Sequence, residues 1–426
     1  MVALLGLLMS FPLVRTLTNY VESALQTIIL AALDVTCDRL LPSYDKSATW
    51  MLMIQGYRLH YRHRHRLRAL ARLLHEGRLA GRTILVTGSA RGLGSGIAAQ
   101  LATSGARLVL PIRKVGDIAQ MRAELAERAT AALKECAVRP DDVTPVNPQS
   151  IDMLSPHCGL ELSSLASIER FVDSLRAGGV VLDAVINNAG MVPIKSGVTA
   201  EGFEPAFGVN FLGTVHLTQL LDDAGLIAKD AVVVNVSSEE HRLAHFGPHV
   251  AAIADFQQHQ VADAQPAASS LPLPPASSPA EPLGKVPPHS IVAAMHRYAY
   301  SKMLLTTFSF ELNRRAAYTV RDICPGPVGS QIARDAPWPI NKLTELWMRY
   351  TFVSPNDAAL PVIELAVQNC AGIQTLTSLS NKEGDAVVHY HMSASQSAGA
   401  AADHPVVGAW LWEETQRLLK VRKPPP

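Results

Sequence analysis

The chain has 426 residues, with 38 Lys and Arg against 37 Asp and Glu, a formal net charge of +1. That length allows one large domain or two ordinary ones, and a hydrophobic content of 48% is ample for an α/β core. The near-neutral balance gives no pull toward nucleic acid, so no nucleic-acid partner is expected. The five cysteines (Cys37, Cys136, Cys158, Cys324, Cys370) show neither paired nor metal-ligand spacing. They read as buried thiols in a reducing compartment, and no metal is expected.

Residues 1–80 differ from the rest. Met1 to Val14 is nearly all apolar, a second apolar run covers Thr27 to Leu33, and a third starts at Trp50. Neither of the first two reaches the length of an uninterrupted spanning helix. There is no basic n-region and no small-residue cleavage site, so a removed signal peptide is not expected. Arg58, Arg62, Arg64, Arg66, Arg68 and Arg72 follow, with His60, His63 and His65 between them. A basic block beside apolar helices suits anionic lipid headgroups on the cytosolic side. The expectation is a helical, membrane-associated extension over 1–80. The competing reading is a soluble helical extension with a solvated basic face. The histidines have no Cys or acidic ligands nearby and imply no metal site.

From residue 81 onward the pattern becomes α/β. Arg82 to Val86 reads as a strand, Thr87-Gly88-Ser89-Ala90-Arg91-Gly92-Leu93-Gly94 as a glycine turn, and Ile97 to Ala102 as a helix. Gly105 stops that helix, and Leu108 starts a second strand, completing one βαβ unit. Glycines let backbone N–H groups approach a phosphate closely, and the following helix N-terminus favours an anion. An NAD site would carry an acid at the end of the second strand. Here that strand runs into Ile112-Arg113-Lys114, and Asp117 reads as a helix cap. Arg113 and Arg91 could together pair with a 2′-phosphate, which makes NADP the expected cofactor. A long helix, Gln120 to Cys136, precedes a Pro- and Asp-rich loop, Pro140 to Pro156. A short strand then leads to Leu160-Glu161-Leu162, and Val181 to Ile186 reads as another strand, running into Asn187-Asn188-Ala189-Gly190.

At this point the sequence resembles the classical short-chain dehydrogenase/reductase family. The glycine turn is similar to that family's T-G-x-x-x-G-x-G, and Asn187 to Gly190 to its N-N-A-G. Phe207 to Gly213 resembles the helix carrying its catalytic asparagine, Val234 to Ser238 its serine strand, and Tyr298-Ala299-Tyr300-Ser301-Lys302 its Y-x-x-x-K pair. Pro325-Gly326-Pro327-Val328-Gly329-Ser330 resembles P-G-x-V-x-T. Within the family the chain looks most like the retinol dehydrogenase group, on Thr199 to Glu204, Gly208 to Gly213 and Leu411 to Glu414. The chain departs from the pattern at three places. Glu161 stands where an Asp usually contacts adenine, Gly96 where a larger residue is common, and Ser330 where Thr is usual.

The resemblance implies a Rossmann doubly wound parallel sheet over 81–426. It places the nucleotide on Thr87, Gly88, Ser89, Arg91, Gly92, Leu93, Gly94, Arg113, Glu161, Leu162, Asn188, Ala189, Gly190, Pro325, Gly326, Val328 and Ser330, with Tyr298 and Lys302 reaching the reacting end. Tyr298 would exchange a proton with the substrate oxygen, which requires its phenol pKa to fall from about 10 toward neutrality. Lys302, four residues on, shares its helix face, and its charge favours the phenolate. Ser238 would hydrogen-bond the substrate oxygen and Asn210 would hold a relay water. Tyr300 and Ser237 are the competing tyrosine and serine; the family pattern selects Tyr298 and Ser238.

A Pro-, Ala- and Ser-rich insertion, about 255–290, separates Ser238 from Tyr298 and has the composition of a disordered segment. Trp338, Ile340, Leu343, Leu346, Trp347 and Tyr350 have amphipathic helical spacing, in a region that covers the substrate in the family. Ala386 to Tyr390 reads as a last strand and Trp410 to Leu419 as a closing helix. The leading expectation is an NADP-dependent oxidoreductase for a lipophilic alcohol, aldehyde or ketone: a retinoid, steroid or fatty aldehyde. It is placed at the endoplasmic reticulum membrane with a cytosolic catalytic domain, and a homodimer is left open. The alternative is a non-catalytic nucleotide-binding interaction protein on a membrane surface.

Overall fold

The computed structural model describes residues 66–113, 118–136, 143–154, 159–193, 197–244, 291–329, 352–370, 389–391, 394–395, 398 and 402–420. The apolar runs before residue 66, Asp117, the insertion at 255–290, Ser330 and the Trp338 to Tyr350 stretch lie outside them. Among the described residues no helix is long and apolar enough to cross a membrane.

The inner strands come from short β-branched and Leu runs, whereas the last two, His-Tyr-His and Ala-Ser, do not. The strands are β1 (Thr83–Val86), β2 (Arg107–Val109), β3 (Met153–Leu154), β4 (Leu182–Asn187), β5 (Ile227–Val236), β6 (Thr319–Cys324), β7 (His389–His391) and β8 (Ala394–Ser395). They form one sheet in the order β3-β2-β1-β4-β5-β6-β7-β8. All neighbours are parallel except β7 and β8. β3 falls inside the stretch expected as a loop, because Met153 pairs with Leu108 and fills the core.

Alternation along the strands divides the interior in two. Ile84, Val86, Leu108, Ile186, Val232 and Val234 face one core, and Leu85, Val109, Val185, Val233 and Val320 the other. This is the double-sided burial that a parallel sheet requires. The first face is covered by α1 (residues 66–75), α2 (Gly92–Leu101), α3 (Ile118–Cys136) and α7 (Pro355–Ala366). The second is covered by α4 (Leu165–Ala177), α5 (Thr214–Asp223), α6 (Ile291–Arg315) and α8 (Pro405–Lys420). Caps set several helix starts: Ser164 accepts from the Ser167 amide, and Ser354 from that of Asp357 just before Pro355.

The chain order reverses between β1 and β4. Beyond the carboxyl ends of these two strands lies the crevice where a doubly wound sheet binds its ligand.

Candidate active site

The glycine turn follows β1 directly. Gly88 has φ +69° and Gly92 φ +55°, conformations that a side chain would strain. A Cβ on Gly94 would lie 2.3 Å from Gly88 O and 2.4 Å from Asn188 Nδ2, so only glycine fits there. Arg91, at the α2 N-cap, makes no side-chain cap, so the first-turn amides have no side-chain acceptor from it. The turn is joined to the end of β4: Thr87 Oγ1 accepts from the amides of Asn188 (3.1 Å) and Ala189 (3.0 Å). Asn188 Nδ2 donates to Thr87 O at 2.9 Å. The two motifs are therefore one hydrogen-bonded unit. Asn187, by contrast, is buried and donates to Thr218 and Asn235. Gly96, unusual from the resemblance, has a local cause: a Cβ there would meet Pro355 O at 2.1 Å.

Past β2, Gly159 lies so close to Arg113 that a Cβ would reach Arg113 O at 2.2 Å. This brings Arg113 beside Glu161, and the two form an ion pair, Nε to Oε2 at 3.1 Å. The sequence treats these residues as independent nucleotide contacts; the fold makes them partners. Leu162 is buried in the second core. Pro325, Gly326 and Val328 follow β6, Gly326 with φ +77°. Val328 bridges Val353 in parallel, which fixes this loop against the start of α7.

The proposed reacting groups converge at the ends of β4 and β5. Asn210 sits in a π-helical turn, Phe207–Gly213, rather than in a regular helix. Both ends of its amide are held: Oδ1 accepts from the Met191 amide at 2.8 Å, leaving one acceptor position, and Nδ2 donates to Met191 O and Ser301 Oγ, both at 2.9 Å. A Cβ on Gly190 would lie 3.4 Å from Lys302 Nζ and 3.5 Å from Asn210 Oδ1, so these three residues adjoin. Ser237 is buried and paired with Thr306 at 2.6 Å. Ser238 is half-buried and hydrogen-bonds the Tyr298 phenol. Tyr300 packs at the edge of the second core.

One expectation is corrected. Burial pushes the Tyr298 phenol well above its ordinary value, against the opposing hydrogen bond to Ser238. The Lys302 ammonium donates to Val236 O at 2.6 Å and lies 5.8 Å from the Tyr298 ring centroid. Burial brings Lys302 itself down to about 8, opposed by the field of Asp322.

Behind Ser238 lies a network that the sequence did not disclose. Asp322 accepts from Thr306 (3.1 Å) and Ser309 (3.3 Å), and its Oδ2 lies 2.6 Å from His389 Nδ1. His389 Nε2 lies 3.2 Å from Glu239 Oε1, and Arg242 pairs with Glu239 Oε2. His241 has Nδ1 2.6 Å from Ser238 O and Nε2 3.0 Å from Ala398 O. The segments that carry these residues are far apart in sequence, and no spacing rule joins them. Their only local signal is charge in a segment otherwise reading as buried strand, at Asp322 and in His389-Tyr390-His391.

A doubly wound parallel sheet, a glycine turn at the order reversal, and a Ser–Tyr–Lys–Asn group beside that crevice define a dinucleotide-dependent oxidoreductase. The comparisons agree. The family model described as short chain dehydrogenase matches residues 156–250. Short chain dehydrogenase resG of Aspergillus sclerotiorum is 37% identical over 141 residues, 33% of this chain and 33% of that protein. Human retinol dehydrogenase 14 is 36% identical over 172 residues, 39% of this chain and 47% of that protein. Human retinol dehydrogenase 13 is 27% identical over 355 residues, 81% of this chain and 87% of that protein. The first two alignments thus span less than half of their relatives' length, and the third most of it. The chain is thus similar to short-chain dehydrogenases, with retinol dehydrogenases among the proteins it matches.

Proposed function

We propose that the protein interconverts a lipophilic alcohol and its aldehyde or ketone with NADP(H), at a membrane surface reached through its N-terminal segment. The observation that carries the reading is the convergence of Ser238, Tyr298, Lys302 and Asn210 beside Gly190, next to the crevice. A nicotinamide dinucleotide supplies hydride transfer when bound, and the glycine turn, the α2 N-terminus and Asn188 to Gly190 have the shape and donors to hold it. Tyr298 exchanges the proton at the substrate oxygen, and its buried, neutral phenol is suited to donate one in the reducing direction. Ser238 orients that oxygen and Lys302 holds the nicotinamide ribose. Asn210 shapes the wall through Met191 and Ser301, and in this role it would anchor the relay water.

NADP is favoured over NAD by Arg91 and Arg113. The Glu161 contact uses Nε of Arg113, and a guanidinium has four further N–H donors for a 2′-phosphate. The lipophilic substrate is supported by the named retinol dehydrogenase relatives, and membrane placement, at the endoplasmic reticulum, by the apolar runs and arginine block of residues 1–80.

Two measurements test this. NADPH oxidation by the full chain should accelerate with long-chain or polycyclic carbonyls and not with short polar ones; a chain inert to every carbonyl and alcohol supplied points instead to a nucleotide-binding interaction protein. In flotation with anionic vesicles, the full chain should rise with lipid and a chain lacking residues 1–49 should largely remain below; a full chain that stays in the aqueous layer rules out the membrane placement.

A further inference from the structure

Three strands of the sheet end in groups able to bind a metal. Glu239 lies just past β5, Cys324 ends β6 and His391 ends β7. One ligand atom from each, a carboxylate oxygen, Sγ and a ring nitrogen, lie within 4.8 Å of one another. All three residues are buried, at 8%, 5% and 2% exposure.

His391 faces both other members of the trio, Glu239 and Cys324. His389 and His241, its neighbours, have both ring nitrogens within hydrogen-bond distance of oxygen atoms. Neither ring nitrogen of His391 makes a hydrogen bond of acceptable geometry. Its Nδ1 nevertheless lies 3.2 Å from Glu239 Oε1. A buried ring nitrogen that lacks a well-aligned hydrogen bond costs about 1–3 kcal/mol. The same position is favourable if the ring nitrogen, the carboxylate and the thiolate share a cation. Tetrahedral bonds of about 2.0–2.3 Å set ligand atoms roughly 3.3–3.8 Å apart, and the Glu239–His391 separation is close to that edge.

The surroundings suit a ligand set. Arg242 holds Glu239 Oε2 and His389 faces Oε1, which fixes the carboxylate. The Gly326 amide donates to Cys324 Sγ at 3.4 Å, which fixes the position of the sulfur. Sulfur, nitrogen and oxygen donors together suit a borderline-soft divalent ion, and two anionic ligands neutralise its charge. Three protein ligands leave a tetrahedral ion one position for water.

We propose that Glu239, Cys324 and His391 form a zinc site that clamps the ends of β5, β6 and β7. Glu239 follows Ser238, and Cys324 precedes Pro325-Gly326, so the ion positions the serine and the nucleotide loop relative to one another. It does not touch the reacting atoms. Sequence spacing does not reveal the site, because each ligand comes from a different strand end.

The test uses the full chain, purified without a metal-affinity tag or chelator and dialysed against zinc. Elemental analysis should give about one zinc per chain. Replacement by Co2+ should give a thiolate-to-cobalt charge-transfer band and the visible absorption of a tetrahedral ion. A variant keeping Cys324 as its only cysteine should retain both, as should one with His60, His63 and His65 changed to Gln. Cys324→Ser should lose the band, and His391→Gln should lose the ion. Chelation should lower the thermal midpoint of the wild type and leave that of His391→Gln unmoved. A wild type that holds no stoichiometric ion overturns the site, as does a cobalt spectrum without a thiolate band. If Cys324→Ser fails to fold, the variant with Cys324 as its only cysteine decides: absence of the band there is equally fatal.

Discussion

On the β1–β4 side of the crevice the structure is made of backbone and short polar groups. Thr87 holds two amides, Asn188 holds the turn carbonyls, and Gly94 admits both. On the β5–β7 side it is made of buried charge: Lys302 on a strand carbonyl, Asp322 between two hydroxyls and an imidazole, Glu239 between His389 and Arg242. The first side needs shape, since a dinucleotide phosphate is bound by amides and a helix end. The second, in the proposed reaction, moves a proton, and its ionisable groups are kept out of water, where their protonation depends on one another. A steric change should therefore damage the first side, and removal of one polar atom the second.

The largest effect is expected on the second side. Tyr298→Phe keeps the ring and its packing and removes only the hydroxyl. Turnover should fall by about 10²–10⁴-fold, the usual contribution of a positioned acid or base. NADP(H) affinity, measured by fluorescence titration, should persist, because the phosphates are held on the other side. Wild-type turnover in this variant would refute the assignment of the proton to Tyr298. Tyr300→Phe is the control and should be much milder.

Next in size is a steric test of the first side. Gly94→Ala places a methyl 2.3 Å from Gly88 O, and Gly96→Ala places one 2.1 Å from Pro355 O. Each should cost about 1–3 kcal/mol in chemical denaturation, as overpacking does. Only Gly94→Ala should also weaken nucleotide binding, because its clash lies in the turn while that of Gly96 lies between α2 and α7. Equal nucleotide affinity in the two variants would show that the turn tolerates the methyl.

The same division explains what could be read from the chain. The first side was legible almost residue by residue, because its work is local: a glycine turn, an Asn pair and a strand-to-helix junction leave fixed short spacings. Ser238, Tyr298 and Lys302 were legible because they too lie in short motifs. The state of Tyr298 is not, since it depends on burial in the folded chain and on its hydrogen bond to Ser238. Arg113 and Glu161 read in the sequence as separate contacts, since only the close approach of Gly159 brings them together. Glu239, Asp322, His389 and His391 were invisible as a set, because sheet order, and not sequence, makes them neighbours.

A smaller effect concerns Lys302 and pH. Its pKa falls from 10.5 to about 8 in the folded protein, chiefly through burial. Between those values the unfolded chain binds more protons than the folded one, so this group makes stability rise with pH, at most about 1.4 kcal/mol per pH unit. Lys302→Met removes that contribution. The stability of the wild type relative to Lys302→Met should therefore grow as pH increases across the window, read from denaturation midpoints. Parallel curves would mean that burial does not penalise the ammonium. Turnover of Lys302→Met should be poor throughout, so the comparison separates the cost of the charge in folding from its use in catalysis.

The smallest effect returns to the first side, at the one place where it carries charge. Arg113 is two-thirds exposed, at 67%, and pairs with Glu161 at 3.1 Å. Arg113→Asp would repel a 2′-phosphate and accept from a 2′-hydroxyl, so relative preference should move toward NADH. Solvent screening limits such an exposed group, and the shift should be roughly several-fold. The substitution also sets two carboxylates where an ion pair stood. Arg113→Ala separates these causes: it removes the cation without adding an anion, and should weaken NADPH while leaving NADH nearly unchanged. Added salt should narrow the wild-type preference, because the contact is screened. If Arg113→Asp weakens both cofactors equally, the residue serves to place the Glu161 segment, and discrimination must rest on Arg91. If neither KM changes, Arg113 lies outside the nucleotide site, and its partner is Glu161 alone.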